Sequence, residues 1–187
     1  MNTEVKRQLV HGSGVLFIVV LQFFGKTVSA AIFFTIFIFF AVWAQLRKSK
    51  VRLGPISSIE EFMMDHLKTY ERSGEYFKGV ITFFLGILLA TVLFPINIAA
   101  AAIAVLAVGD SVSTLIGKLY GKHKLPINRK KSWEGSMAFL LAALFILWWF
   151  DPVKALYIAP LVTIVEMLPR IDDNLSIPLV VGILFII

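Results

Sequence analysis

The chain has 187 residues, is 58% hydrophobic and 16% charged, and carries a net charge of +6 at pH 7; its mean hydropathy is +0.85. The apolar excess comes in blocks, which argues against an ordinary soluble domain and for an integral membrane protein. With no cysteine the chain has no disulfide and no thiolate metal site, and its basic residues cluster beside apolar blocks, where membrane orientation or an anionic ligand explains them better than nucleic acid does.

Seven apolar segments are expected as spans, at residues 11–24, 28–46, 76–94, 96–108, 132–150, 153–168 and 175–187. The first is read as a retained span, not a signal peptide. Several are shorter than the roughly 20 residues that cross a hydrocarbon core. Backbone in lipid must satisfy its own hydrogen bonds, so an all-α, polytopic helical bundle is the expected fold. Pro95, Pro152 and Pro178 lie near segment ends, and Pro160 falls inside the sixth segment as a candidate kink. With the N-terminus in the cytoplasm, all of the 18 Lys and Arg residues except Lys26 and Lys154 fall on the cytoplasmic side. Every acidic residue except Asp151 falls there too. One-sided polar chemistry suits an enzyme drawing on a cytosolic substrate better than a pore or transporter, which would place polar groups at mid-membrane. The whole chain, 1–187, reads as one membrane-embedded catalytic domain with cytoplasmic loops near 47–75, 109–131 and 169–174.

The first loop holds Ser57 or Ser58 followed by Glu60 or Glu61, a helix-capping pattern. Phe62, Met63, Leu67 and Tyr70 then form an apolar stripe, either an interfacial amphipathic helix or a surface connector. Glu71-Arg72 adjoins the third segment.

The second loop concentrates the chemistry. Asp110 ends the fourth segment and opens a short helix at 111–120. Asp110, Ser113 or Thr114, Gly117 and Gly121 share one small, polar face that a phosphate or another helix can approach. Lys122, Lys124, Arg129, Lys130 and Lys131 follow, and Ser132, Glu134, Gly135 and Ser136 open the fifth segment. Backbone N–H groups and the helix dipole there favour an anion beside the basic loop.

The third loop holds Glu166, Asp172, Asp173 and Asn174. Asn174 is expected to cap the last segment. The Asp-Asp pair also offers hard-oxygen ligands for Mg²⁺, which prefers one or two carboxylates plus phosphate oxygens. Glu166, an ionisable residue at the apolar end of a span, is a site candidate. His11, between Arg7 and Gly12, is either a polar flank or a catalytic group.

These residues carry a resemblance. Gly109-Asp110, Gly117, Gly121-Lys122, Lys131-Ser132-Trp133-Glu134-Gly135-Ser136, Glu166-Met167-Leu168-Pro169 and Asp172-Asp173-Asn174-Leu175, with Arg7 to His11 at the start, resemble the CTP-dependent lipid kinase family of dolichol kinase, phytol kinase and yeast-type diacylglycerol kinase. The resemblance implies Mg²⁺-assisted transfer of the CTP γ-phosphate to a lipid alcohol at the cytoplasmic face of a cell or endoplasmic-reticulum-type membrane. Phosphoryl transfer asks chiefly for charge neutralisation and in-line placement. The five basic loop residues, the 132–136 helix start, Gly117, Gly121 and Asn174 would hold the nucleotide. Asp110, Asp172, Asp173 and Glu166 would hold Mg²⁺. Asp110, Glu134, Asp173 or His11 would accept the hydroxyl proton. A cytidylyltransferase making a CDP-lipid would use the same groups on the α-phosphate. A lipid-binding or transport protein is the alternative of another class. The lipid alcohol and the oligomeric state are not written in these residues.

Overall fold

A computed structural model describes residues 3–49, 76–169 and 172–187. Apart from one isolated bridge between Lys124 and Ser132, the regular structure among the described residues is helical. The all-α expectation therefore holds. The stripe at 62–70, its capping residues, Glu71-Arg72 and Arg170 lie outside the described residues.

The elements are α1 (Thr3–Gly12), a 3₁₀ turn (Ser13–Leu16), α2 (Phe17–Lys48), α3 (Lys78–Leu93), α4 (Ile96–Ala104), a π turn (Val105–Gly109), α5 (Asp110–Leu119), α6 (Trp133–Trp148), α7 (Pro152–Met167) and α8 (Asp173–Ile186). Gly12, Leu16 and Phe17, at the junctions, all have right-handed helical dihedrals. So α1, the tighter turn and the start of α2 are joined without a break. His11 consequently lies in the last turn of α1, with helix on both sides of it. Gly14 permits this path, because a Cβ there would meet the Phe83 ring at 2.4 Å.

At Gly25 the chain reverses. Its φ of 71° and ψ of 177° lie outside helical space, in a region that glycine alone enters readily. Ser29 Oγ donates to Val20 O at 3.1 Å, and the Phe17 and Phe33 rings pack edge-on with centroids 5.5 Å apart. In a straight helix those pairs would stand ~13 and ~24 Å apart. Residues 17–24 and 26–48 are thus antiparallel arms. Among the described residues, two stretches are by length and composition apolar enough to cross a membrane, Glu4–Lys48 and Ile96–Leu119, with Lys78–Leu93, Trp133–Trp148 and Asp173–Ile186 as shorter apolar helices. The Gly25 reversal divides the first of these into two rods, as the separate segments at 11–24 and 28–46 anticipate.

The core is built on α4. Ala99 to Ala107 are all buried, so this stretch is apolar around its whole circumference and packs on every side. Its alanines let α2, α3 and α8 approach closely. The π turn carries the helix on from Ile96 to Leu119, so the fourth segment and the short helix expected at 111–120 form one continuous rod. That wide turn sets the direction in which Asp110 leaves the core.

Three side-chain caps fix the starts of α6, α7 and α8. Ser132 Oγ accepts from Gly135 N–H at 3.2 Å, and Asp151 Oδ1 accepts from Val153 and Lys154 N–H at 3.0 Å each. Asp172 Oδ1 accepts from Asn174 N–H at 3.1 Å, so Asp172 caps α8 and Asn174 does not. Pro160 sits inside α7, which continues to Met167. The outer surface is strongly apolar: Phe23 is 82%, Phe145 68% and Trp149 78% exposed.

Candidate active site

Glu166, in the last turn of α7, is 1% exposed. Its Oε1 accepts from Ser113 Oγ of α5 and its Oε2 from Ser136 Oγ of α6, each at 2.9 Å. The Lys131 Nζ stands 2.9 Å from Oε1. Three helix ends and the basic loop therefore meet on one buried carboxylate. A buried charge is tolerable only when paired and hydrogen-bonded, and this one is both.

Lys131 turns inward from the loop. Besides Glu166 Oε1 it donates to the Glu166 carbonyl and to Asp173 Oδ2 at 2.7 Å. Burial disfavours its charge, but Asp173 and Glu166 more than compensate and hold the ammonium above its ordinary pKa. Asp173 opens α8. Burial first, and then the Asp110 and Glu166 carboxylates, push its carboxyl up to about 7 against the opposing pull of Lys131. Across the site, His11 Nε2 lies 3.4 Å from Asp110 Oδ2, and Asp172 is close enough to act electrostatically on the His11 ring. His11, Asp110, Lys131, Glu166, Asp172 and Asp173, drawn from both ends of the chain and its middle, are brought together.

The other expected residues divide in two. Lys122, Lys124, Arg129 and Lys130 are exposed on the loop. That loop is folded on itself: Leu125 N–H donates to Lys131 O at 3.1 Å and Trp133 N–H to His123 O at 2.9 Å. Asn128 Nδ2 ties it to Met167 O at 3.3 Å. Glu134 accepts from Lys122 and His123 N–H, both at 3.1 Å, and meets His123 Nδ1 at 2.7 Å. In this arrangement Glu134 shapes the loop.

Gly117, Gly121 and Gly135 lie where α5 and α6 touch. A Cβ on Gly121 would meet Gly117 O at 2.1 Å and Ser132 Oγ at 2.4 Å; one on Gly135 would meet Ser113 O at 2.9 Å. These glycines bring Ser113 and Ser136 to Glu166. Asn174 Nδ2 donates to Thr82 Oγ1 at 2.9 Å and Gly79 O at 3.3 Å, tying α8 to α3.

Sequence reasoning placed Ser113 or Thr114 on the Asp110 face without seeing that Ser113 partners Glu166. It missed the Glu4 cluster altogether: Glu4 accepts from Arg7, Gln8 and Lys118, fastening α1 to α5. The spacing of Glu4, Gln8 and His11 along one helix face was the available signal.

No protein-family model matches the chain, and no solved structure matches it. Curated proteins are. Phytol kinase 1 of Arabidopsis thaliana, a chloroplastic protein, is 27% identical over 206 aligned residues, covering 96% of this chain and 64% of its own length. A probable phytol kinase of Zea mays is 32% identical over 139 residues, covering 60% of this chain and 45% of its own. An uncharacterised protein of Methanocaldococcus jannaschii is 36% identical over 122 residues, 63% of each chain. The chain is similar to phytol kinases over most of its length. It spans less than two thirds of the length of the Arabidopsis and maize proteins. The lipid-kinase resemblance of its motifs is borne out.

The Asp110 and Asp173 carboxylates are the residues that could hold a shared divalent cation. Asp173 Oδ1 is buried without a hydrogen-bond partner, and the Asp110 charge acts on Asp173. Among the described residues no three acidic, His or Cys groups cage a metal by themselves. Mg²⁺ needs only one or two carboxylates when phosphate oxygens complete its shell.

Proposed function

We propose that the protein is a prenyl-alcohol kinase, transferring the γ-phosphoryl group of CTP to the hydroxyl of a membrane isoprenoid alcohol such as phytol, geranylgeraniol or a dolichol-type polyprenol. One observation carries the reading. Asp110, Lys131, Glu166, Asp172 and Asp173 converge beside an exposed cationic loop, in a homologue of phytol kinases.

Lys122, Lys124, Arg129 and Lys130 draw the triphosphate to the loop and neutralise it. Asp172 and Asp173 would hold Mg²⁺, which when bound would offset charge on the phosphates. The alcohol oxygen attacks Pγ and its new O–P bond forms as the bond from Pγ to the β,γ-bridging oxygen breaks. CDP leaves with that electron pair, and the His11–Asp110 pair takes the alcohol proton. The isoprenoid tail lies against the apolar helices.

The bundle is read as an integral membrane protein with seven spans and the site at the cytoplasmic face. The Gly25 reversal supports the first two spans, since it leaves Lys26 at the opposite end of the hairpin from Glu4, His11 and Lys48. Asn97, Asp151, Lys154 and Phe185 line one concavity, which groups the far-side polar residues. Trp148 and Trp149 beside Asp151 suit a membrane–water boundary.

The test is to incubate the full chain in detergent or nanodiscs with γ-³²P-labelled CTP or ATP, Mg²⁺ and a panel of lipid alcohols, including diacylglycerol. Labelled prenyl monophosphate with CDP as co-product supports the reading. Pyrophosphate release with formation of a CDP-lipid overturns it.

A further inference from the structure

We infer that Lys131 is a positioning residue for Asp173, and that Glu166 in turn fixes Lys131, so that neither side chain binds the transferred phosphate or the metal. An ammonium group has three donors. Lys131 Nζ has three acceptors around it: Glu166 Oε1 at 2.9 Å, the Glu166 carbonyl, and Asp173 Oδ2 at 2.7 Å. Two of these belong to the C-terminal turn of α7, where carbonyls lack helical partners and a cation is favoured. The third belongs to the first residue of α8. Lys131 therefore bridges the end of one helix and the start of the next. By holding Oδ2 it leaves Asp173 Oδ1 as the oxygen without a partner.

Glu166 is equally committed. It is 1% exposed, and both its oxygens are engaged by Ser113, Ser136 and Lys131. Swinging Lys131 out to a phosphate would leave that carboxylate with two hydroxyl donors and no counter-charge, among the costliest states a buried group can adopt. Lys122, Lys124, Arg129 and Lys130 are already exposed on the same loop, so the phosphates have cations that carry no such penalty. A positioning role also places Glu166 outside the metal shell.

The inference rests on the kinase reading for its catalytic consequence, while its structural content can be measured without turnover. The experiment compares wild type with Lys131→Met and Glu166→Gln in the full chain. Three quantities are read: binding of a trinitrophenyl-CTP probe without metal, Mn²⁺ affinity by electron paramagnetic resonance, and kcat against KM for CTP. Loss of a group that orients a metal ligand costs about 10- to 100-fold in metal affinity or activity. Both variants should weaken Mn²⁺ binding and lower kcat by that order, while probe affinity and KM for CTP change less than about 3-fold. Loss of probe affinity by about 10-fold with Mn²⁺ binding intact would make Lys131 a phosphate ligand and overturn the inference. Should Lys131→Met not fold, Ser136→Ala removes a single donor from Glu166 and should give the same pattern on a smaller scale; a fall in probe affinity alone overturns it. A wild-type protein that binds no Mn²⁺ also overturns it. A wild type that binds Mn²⁺ but phosphorylates no lipid alcohol sinks the kinase reading, and the Mn²⁺ and probe measurements still decide the positioning role.

Discussion

His11 Nε2 lies 3.4 Å from Asp110 Oδ2, joining the last turn of α1 to the first residue of α5. The imidazole is held from two other sides. Its edge meets the Phe83 ring with centroids 5.0 Å apart, and it hydrogen-bonds the Leu106 backbone in the π turn. A ring fixed in this way keeps one nitrogen toward the carboxylate. Asp110→Asn preserves shape and removes charge. It should lower kcat by about 10²- to 10⁴-fold, the usual scale for a positioned acid–base group, while the melting temperature stays within a few degrees. His11→Gln should lower kcat in the same direction. Steady-state kinetics with the best lipid alcohol checks both, and near-normal turnover in Asp110→Asn would take this pair out of the reaction.

Glu4 is the fastening that holds α1 over the site. Burial works against its charge, but hydrogen bonds from Lys118 and Gln8 and the Arg7 charge prevail and keep the carboxyl below its usual value. Lys118 is half-exposed, so the pair itself is worth about 1 kcal/mol or less. The effect should appear locally. Glu4→Ala should speed amide exchange across residues 3–12 and lower kcat/KM by roughly 3- to 30-fold with little change in global melting, as loosened binding elements do. The charge-swapped double variant Glu4→Lys with Lys118→Glu should recover part of the loss. Unchanged exchange in Glu4→Ala would mean that α1 is held by its packing alone.

The glycines separate into tight and open positions. A Cβ on Gly86 would meet Asn174 O at 1.9 Å, and one on Gly121 would meet Gly117 O at 2.1 Å. Backbone atoms cannot step aside as a side chain can, so each alanine variant should cost about 1–3 kcal/mol and shift the melting temperature down. Gly79 has nothing within 4 Å of its Cβ position, and Gly79→Ala should be neutral or slightly stabilising. Thermal denaturation in one detergent compares all three. Equal behaviour of Gly79→Ala and Gly121→Ala would show that the α5–α6 contact relaxes easily.

Apolar runs made the helices legible, because a buried or lipid-facing helix has only to be hydrophobic. The Asp110, Glu166 and Asp172-Asp173 groups were legible too, since charges beside apolar runs need a reason to be there. Partnership was not. Lys131 and Lys130 are adjacent and chemically alike, yet one turns inward to Glu166 and Asp173 while the other is exposed. Only the loop's fold, set by the Lys131 N–H bond to Asn128 O and the Leu125 N–H bond to Lys131 O, distinguishes them. Gly117 and Gly121 likewise read equally well as a phosphate cradle or a helix crossing, and in the structure they pack α5 on α6 together with Gly135. The Asp172 cap was misread as Asn174 because both residue types cap well and their positions differ by two.

Asp173 gives the protein a pH dependence with a definite sign. Its carboxyl rises from an ordinary 3.8 to about 7, burial being the largest cause. Between those values the folded protein keeps a proton that the unfolded chain has released. The folded state then binds more protons, so stability falls as pH rises through this window and levels off above it. In EDTA, the melting temperature of the wild type should drop between pH 5 and pH 7.5, and Asp173→Asn, which cannot ionise, should show a shallower drop. A divalent cation paired with the ionised carboxylate removes the penalty, so Mg²⁺ or Mn²⁺ should raise the melting temperature of the wild type more at pH 7.5 than at pH 5 and should raise that of Asp173→Asn less at either pH. Equal slopes in the two proteins would mean that another group carries the titration, and an equal cation effect in both would place the metal away from Asp173.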